Sequence, residues 1–110
     1  MLLPLMLAAA TCGATGGQAA LNECATARYR AADAALNAQY RHTLGVVTKE
    51  GGAQTLVAAE RAWIAYRDNQ CEAENALFKG GSMHGMAVTD CRVRIMRART
   101  RELAQMEKAD

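Results

Sequence analysis

The sequence predicts an all-α fold, an up-down-up bundle of three long helices stapled at one pole by two disulfides. Three observations carry that prediction. Apolar residues recur at three- and four-residue steps through three long segments of the 110-residue chain, as they do in amphipathic helices. Breaks at Glu50-Gly51-Gly52 and at Lys79-Gly80-Gly81-Ser82 separate those segments and are short enough to return each helix beside the last. The four cysteines, Cys12, Cys24, Cys71 and Cys91, fall where such a bundle gathers them at one end. Strand signals are nearly absent, because β-branched residues are scattered and nothing alternates for long.

Residues 11–19 are rich in Gly, Thr and Ala without a period and read as a loop or arm. The first helix is expected from Ala20 to about Thr48, with Leu21, Ala25, Tyr29, Ala32, Leu36, Tyr40, Leu44 and Val47 on its inner face. Asn22 is a candidate cap. Gly45 sits inside the pattern and costs about 1 kcal/mol relative to Ala. The second helix is expected from Ala53 to Phe78, with Leu56, Ala59, Trp63, Tyr66 and Gln70 inward. A Lys followed by paired glycines then ends it, and Met83-His84-Gly85-Met86 continue the loop. The third helix is expected from Ala87 to Lys108, with Val88, Cys91, Ile95, Ala98, Glu102 or Leu103, and Met106 inward.

Apolar residues make up 51% of the chain, but alanine supplies much of that share, so a domain this small gains little core area per residue. Trp63, the single Trp, is therefore expected to be the largest contributor to the core. Covalent staples are the expected supplement. Four cysteines permit three pairings; Cys12–Cys24 and Cys71–Cys91 are favoured because both join chain neighbours. Closing the second loop adds about 3 kcal/mol in the chain-entropy picture.

Met1–Ala10 reads as the end of a secretory signal, a short apolar run closed by Ala8-Ala9-Ala10 before Thr11. No Lys or Arg stands near Met1, which suggests a true start further upstream. Cleavage after Ala10 leaves all four cysteines, whereas a cut after Ala19 strands one thiol, so the earlier site is preferred. The mature domain is then residues 11–110, periplasmic or secreted. A lipid on Cys12 is the rival reading, although Thr11 is a poor neighbour for it. No later stretch approaches transmembrane length.

Catalytic candidates are thin. His42 and His84 lie on different segments, with no Ser or Cys at a suggestive spacing. A metal site would require His84, Asp90 and a free thiol to converge, which paired cysteines oppose. The reading is a non-enzyme without cofactor or metal. Glu60, Arg61, Arg67 and Asp68 read as a polar network around Trp63, with Arg67 along the indole and Arg67 and Asp68 pointing apart. Arg92, Arg94, Arg97, Arg99 and Arg101 read as a solvated face with some members paired, Arg99 among them. Their functional alternative is a patch for anionic envelope polymer or lipid head groups. Nucleic acid fits poorly, for want of aromatic platforms. The loop Lys79, Gly80, Gly81, Ser82, Met83, His84 and Met86 is the candidate partner surface, since glycine permits extension and methionine makes adaptable apolar contacts.

Several stretches together resemble a known family. They are Leu21-Asn22-Glu23-Cys24-Ala25 after Cys12, Ala31-Ala32-Asp33-Ala34-Ala35-Leu36-Asn37 with Tyr40, and Arg61-Ala62-Trp63-Ile64-Ala65-Tyr66-Arg67-Asp68 with Cys71. Gly80-Gly81-Ser82-Met83, Cys91, Arg99-Thr100 and Leu103 complete the set. It resembles the lysozyme inhibitor LprI N-terminal domain family over nearly the whole chain past residue 11. Glu60 stands where a Gln is usual and Met96 where a Thr is expected. The resemblance supports four retained cysteines. It implies export to a bacterial envelope and, for the namesake, inhibition of a c-type lysozyme, so the partner expected is such an enzyme or another envelope protein. It assigns no inhibitory residue. Lysozymes of this type are cationic, so the Arg stripe counts against simple attraction.

Overall fold

The computed structural model describes Cys12 and residues 16–108. Residues 1–10, read as a signal remnant, and the cut before Thr11 lie outside the described residues. Among the described residues there are three α-helices, α1 Gly17–Thr48, α2 Ala53–Glu74 and α3 His84–Met106, with a 3-10 turn at Ala76–Phe78 after α2. Among the described residues there is no strand.

The helices run up, down and up. Arg28 meets Asp90 and Thr43 meets Leu103, so α1 and α3 ascend together. Asp68 meets Arg92 and Glu60 meets Arg99, so α2 descends. The turn between α1 and α2 is closed by the Gly52 amide donating to the Val47 carbonyl at 2.8 Å. Gly51 there adopts φ +81°, a conformation that favours glycine. The α1–α3 interface is the largest, and α2 lies against both partners less extensively. The result is a slab of 50 × 40 × 19 Å.

The core has two parts. Ala32, Leu36, Leu56, Val93, Met96 and Leu103 form one, and Cys71, Val88, Cys91 and Ile95 the other. Trp63 packs against both and joins them. It is nonetheless only partly buried, and the largest fully enclosed side chains are Met96 and Leu103. The centre of the bundle is thus on α3, which is packed from two sides and buries a broad stripe that includes Val93. Of the expected inward positions, Leu103, the alternative to Glu102, is buried, whereas Ala98, Glu102 and Met106 are exposed.

Helix boundaries shift at three places. Gly17–Ala19 belong to α1 rather than to a loop, α2 ends at Glu74, and α3 begins at His84 rather than Ala87. Asn75 ends α2 by donating its side-chain amide to the Cys71 carbonyl at 2.8 Å, so the apolar run after it turns outward. Both expected bridges are present, Cys12–Cys24 and Cys71–Cys91, with Cα atoms 5.5 and 5.6 Å apart. They share one pole, because Arg28 touches the Cys12 sulfur at 3.7 Å and also the Asp90 carboxylate beside Cys91 at 3.4 Å.

Candidate functional site

The chain just after Cys71 leaves large apolar side chains in water. Leu77 is 99% exposed, Phe78 46% and Met83 47%, large apolar side chains close in sequence that belong to neither part of the core. Such groups left in water at one spot usually mark a contact surface. The backbone here is ordered by short bonds: Lys79 N–H to the Ala76 carbonyl at 3.2 Å and Gly81 N–H to the Phe78 carbonyl at 2.9 Å. Gly80 takes φ +88°, where a side chain would be strained. Ser82 is exposed on the same turn. His84, in the first turn of α3, contacts the Glu72 carboxylate at 3.2 Å and ties that helix start back to the end of α2.

The structure narrows the expected loop. His84 and Met86 belong to α3, and the Met86 sulfur accepts from the Gln18 side chain on α1 at 3.8 Å, so Met86 packs inward. Leu77 and Phe78, placed in a helix by the sequence pattern, are the most prominent members of the tip. The available signal was their adjacency: neighbours in a helix point in different directions, so Leu77 and Phe78 in front of Lys-Gly-Gly cannot both be core.

A polar network joins α2 to α3. Arg99 Nε donates to Glu60 at 2.9 Å and Nη1 to Glu102 at 2.8 Å, with the Arg99 and Glu60 side chains only 11% and 12% exposed. Burial disfavours the Arg99 charge, but the bonds to Glu102 and Glu60 outweigh it and raise the pKa. Arg67 lies over Trp63, its guanidinium carbon 5.4 Å from the ring centroid, as its spacing predicts. Arg67 and Asp68 do not point apart: Arg67 Nε reaches Asp68 Oδ1 at 2.9 Å, and Arg92 meets the same oxygen at 3.3 Å. The guanidinium curls back over the indole, and that brings the neighbouring carboxylate within reach.

Two members of the expected motif fall outside this network. Arg61 is exposed and makes no ion pair among the described residues. Tyr66 is 55% exposed because the buried line of α2 runs Leu56, Glu60, Trp63, Arg67, Cys71, leaving Tyr66 and Ala59 outside it. The Arg stripe on α3 is mostly spent on acids: Arg94 pairs with Glu74 at 2.6 Å, alongside Arg92 and Arg99. The Glu74 carboxyl is held below its ordinary pKa, first by the Gln70 amide and then by Arg94.

At the opposite pole, Glu107 gathers polar groups from α1. Its carboxylate takes bonds from Gln39 at 2.8 Å and from the buried Thr43 hydroxyl, and meets His42 at 2.9 Å. The His42 side chain stays 68% exposed while it makes this contact. Among the described residues no set of three or more His, Cys, Asp or Glu is arranged to hold a metal, and no helix is long and apolar enough to cross a membrane.

Comparison with known proteins places this architecture. The chain is 41% identical over 112 residues to an uncharacterized protein of Rhizobium meliloti (strain 1021), an alignment covering 90% of this chain and 81% of the relative. No solved structure matches it. The family Lysozyme inhibitor LprI matches residues 8–103, most of the chain, with all four bridged cysteines inside the match: the chain belongs to the LprI lysozyme inhibitor family.

Proposed function

We propose that this protein is an exported, non-enzymatic binding module that inhibits a c-type lysozyme by protein–protein contact, with the tip around Leu77, Phe78 and Met83 as its contact surface. The observation that carries the reading is the tip itself, large apolar side chains held out in water beside a disulfide. Preorganisation by the bridge lowers the entropy lost on docking, and aromatic and aliphatic anchors of this kind supply most of the binding energy in protein contacts. Family membership supplies the class of partner.

The electrostatic objection from the Arg stripe weakens at the tip. Arg92, Arg94 and Arg99 are matched by carboxylates, and the residues next to the tip include Glu72, whose side chain is 54% exposed. The tip itself carries the exposed Lys79, so its contact with a cationic enzyme rests on the apolar side chains rather than on charge attraction. Export, with residues 1–10 removed as a signal remnant and Cys12 retained, agrees with four oxidised cysteines, which persist in oxidising compartments.

The test is lysis of bacterial cell walls by a c-type lysozyme, followed against increasing amounts of the purified, oxidised protein. Saturating inhibition at a one-to-one ratio is the expected result. Undiminished lysis at a large molar excess overturns the proposal.

A further inference from the structure

We infer that the groove between α1 and α3 is a second binding site, for a linear carboxylate-bearing glycan gripped by Arg97 and Arg101. Of the five arginines on α3 between Arg92 and Arg101, three are matched by acids on α2 or α3. Arg97 and Arg101 are the exceptions, with no ion-pair partner among the described residues. They stand four apart, so they share a face, and like charges in that arrangement repel by a few tenths of a kcal/mol. The same two side chains line a cavity of 370 Å³ together with Ala31, Ala32, Ala35 and Thr100, and no acid is among its lining residues. An unbalanced pair of cations facing an open cavity is complementary to an anion, and each guanidinium fork matches a carboxylate geometrically.

The shape selects the kind of anion. The volume lies near the lower end of the range for small-ligand sites, about 300–1,000 Å³, and alanines on the α1 side give it a smooth apolar wall. Large exposed apolar residues lie elsewhere, at Ile64, Tyr66, Leu77, Phe78, Met83 and Met106, so this face has nothing to insert into a bilayer. The neighbouring backbone is helical, with its polar groups committed, and the alanine wall has no side-chain pockets. Peptide recognition by strand pairing or anchor residues therefore has no foothold. A chain of sugar rings fits, its carboxylates on the guanidinium groups and its apolar ring faces on the alanine methyls. This site stands independently of the tip, since it uses different residues.

Titration of the oxidised full-length domain with oligogalacturonate, followed by calorimetry, tests the site, with neutral malto-oligosaccharide, poly-glutamate and anionic phosphatidylglycerol vesicles as comparisons. The expected result is salt-sensitive binding of oligogalacturonate alone, weakened at least about tenfold in Arg97→Gln/Arg101→Gln. Arg94→Gln, which removes an arginine already paired with Glu74, is expected to leave it unchanged. Ala35→Leu fills the groove without altering charge and is expected to block binding too, while circular dichroism confirms that each variant is folded. Lysozyme inhibition by Arg97→Gln/Arg101→Gln should be intact, which separates this site from the tip. No binding of oligogalacturonate, binding indifferent to these variants, or equal binding of poly-glutamate or vesicles overturns the inference.

Discussion

The two poles of the bundle are held by different chemistry. Where α1 and α3 begin, the chain is clamped by Cys12–Cys24 and Cys71–Cys91. Where they end, it is held by a polar cluster in which Gln39, His42 and Thr43 converge on Glu107. A covalent clamp asks nothing of its neighbours, so the adjacent Leu77 and Phe78 need not be packed. A hydrogen-bonded cluster needs every member in place. The difference teaches where sequence freedom lies: the clamped pole can spend residues on contact with a partner, and the polar pole cannot.

The largest test of that contrast removes the clamp. Cys71→Ala/Cys91→Ala is expected to lose about 3 kcal/mol of stability, read as a lower denaturant midpoint. If its midpoint matches that of the native protein, the covalent pole contributes no more than the polar one. A smaller effect is expected at the other pole. Thr43 is fully buried, and its hydroxyl meets both Glu107 and the Leu103 carbonyl; Thr43→Val keeps the shape and loses these bonds, at about 1–2 kcal/mol. An unchanged midpoint would show that the cluster is ornamental to stability.

The smallest effect is one of pH. Glu107 titrates below the ordinary glutamate range, first because of the His42 bond and then because of Thr43. A carboxyl lowered by folding stabilises at pH values above its unfolded pKa, and that contribution is lost as pH falls through the folded value. The stability of the native protein should therefore fall more steeply on the acid side than that of Glu107→Gln, with the two converging in strong acid. Parallel acid profiles would remove Glu107 from the account of that pole.

The sequence pattern and the structure agree where one physical signal acts alone. Helix number, direction and both bridges were legible because periodicity, paired glycines and the short spacing between bridged cysteines are local. The inner face of α2 was misread by one position, since an aromatic at Tyr66 is as apolar as a core residue although the buried line passes through Glu60 and Arg67. Apolarity does not reveal that both are covered against partners, Glu60 with Arg99 and Arg67 with Asp68 and Trp63. The tip was half legible: Lys79–Met83 follow from glycine, but Leu77 and Phe78 needed the knowledge that Asn75 ends the helix before them. The groove at Arg97 and Arg101 was hidden, because which arginines in a stripe find acids depends on the facing helix.

The most direct measurement of the claim that the clamped pole is the contact surface is lysozyme inhibition by Leu77→Asp/Phe78→Asp, beside Thr43→Val and the native protein. The tip variant is expected to keep the native unfolding midpoint and to lose inhibition at least about tenfold, a change of ~1.4 kcal/mol or more, while Thr43→Val loses stability and still inhibits. Full inhibition by a folded Leu77→Asp/Phe78→Asp protein would contradict it.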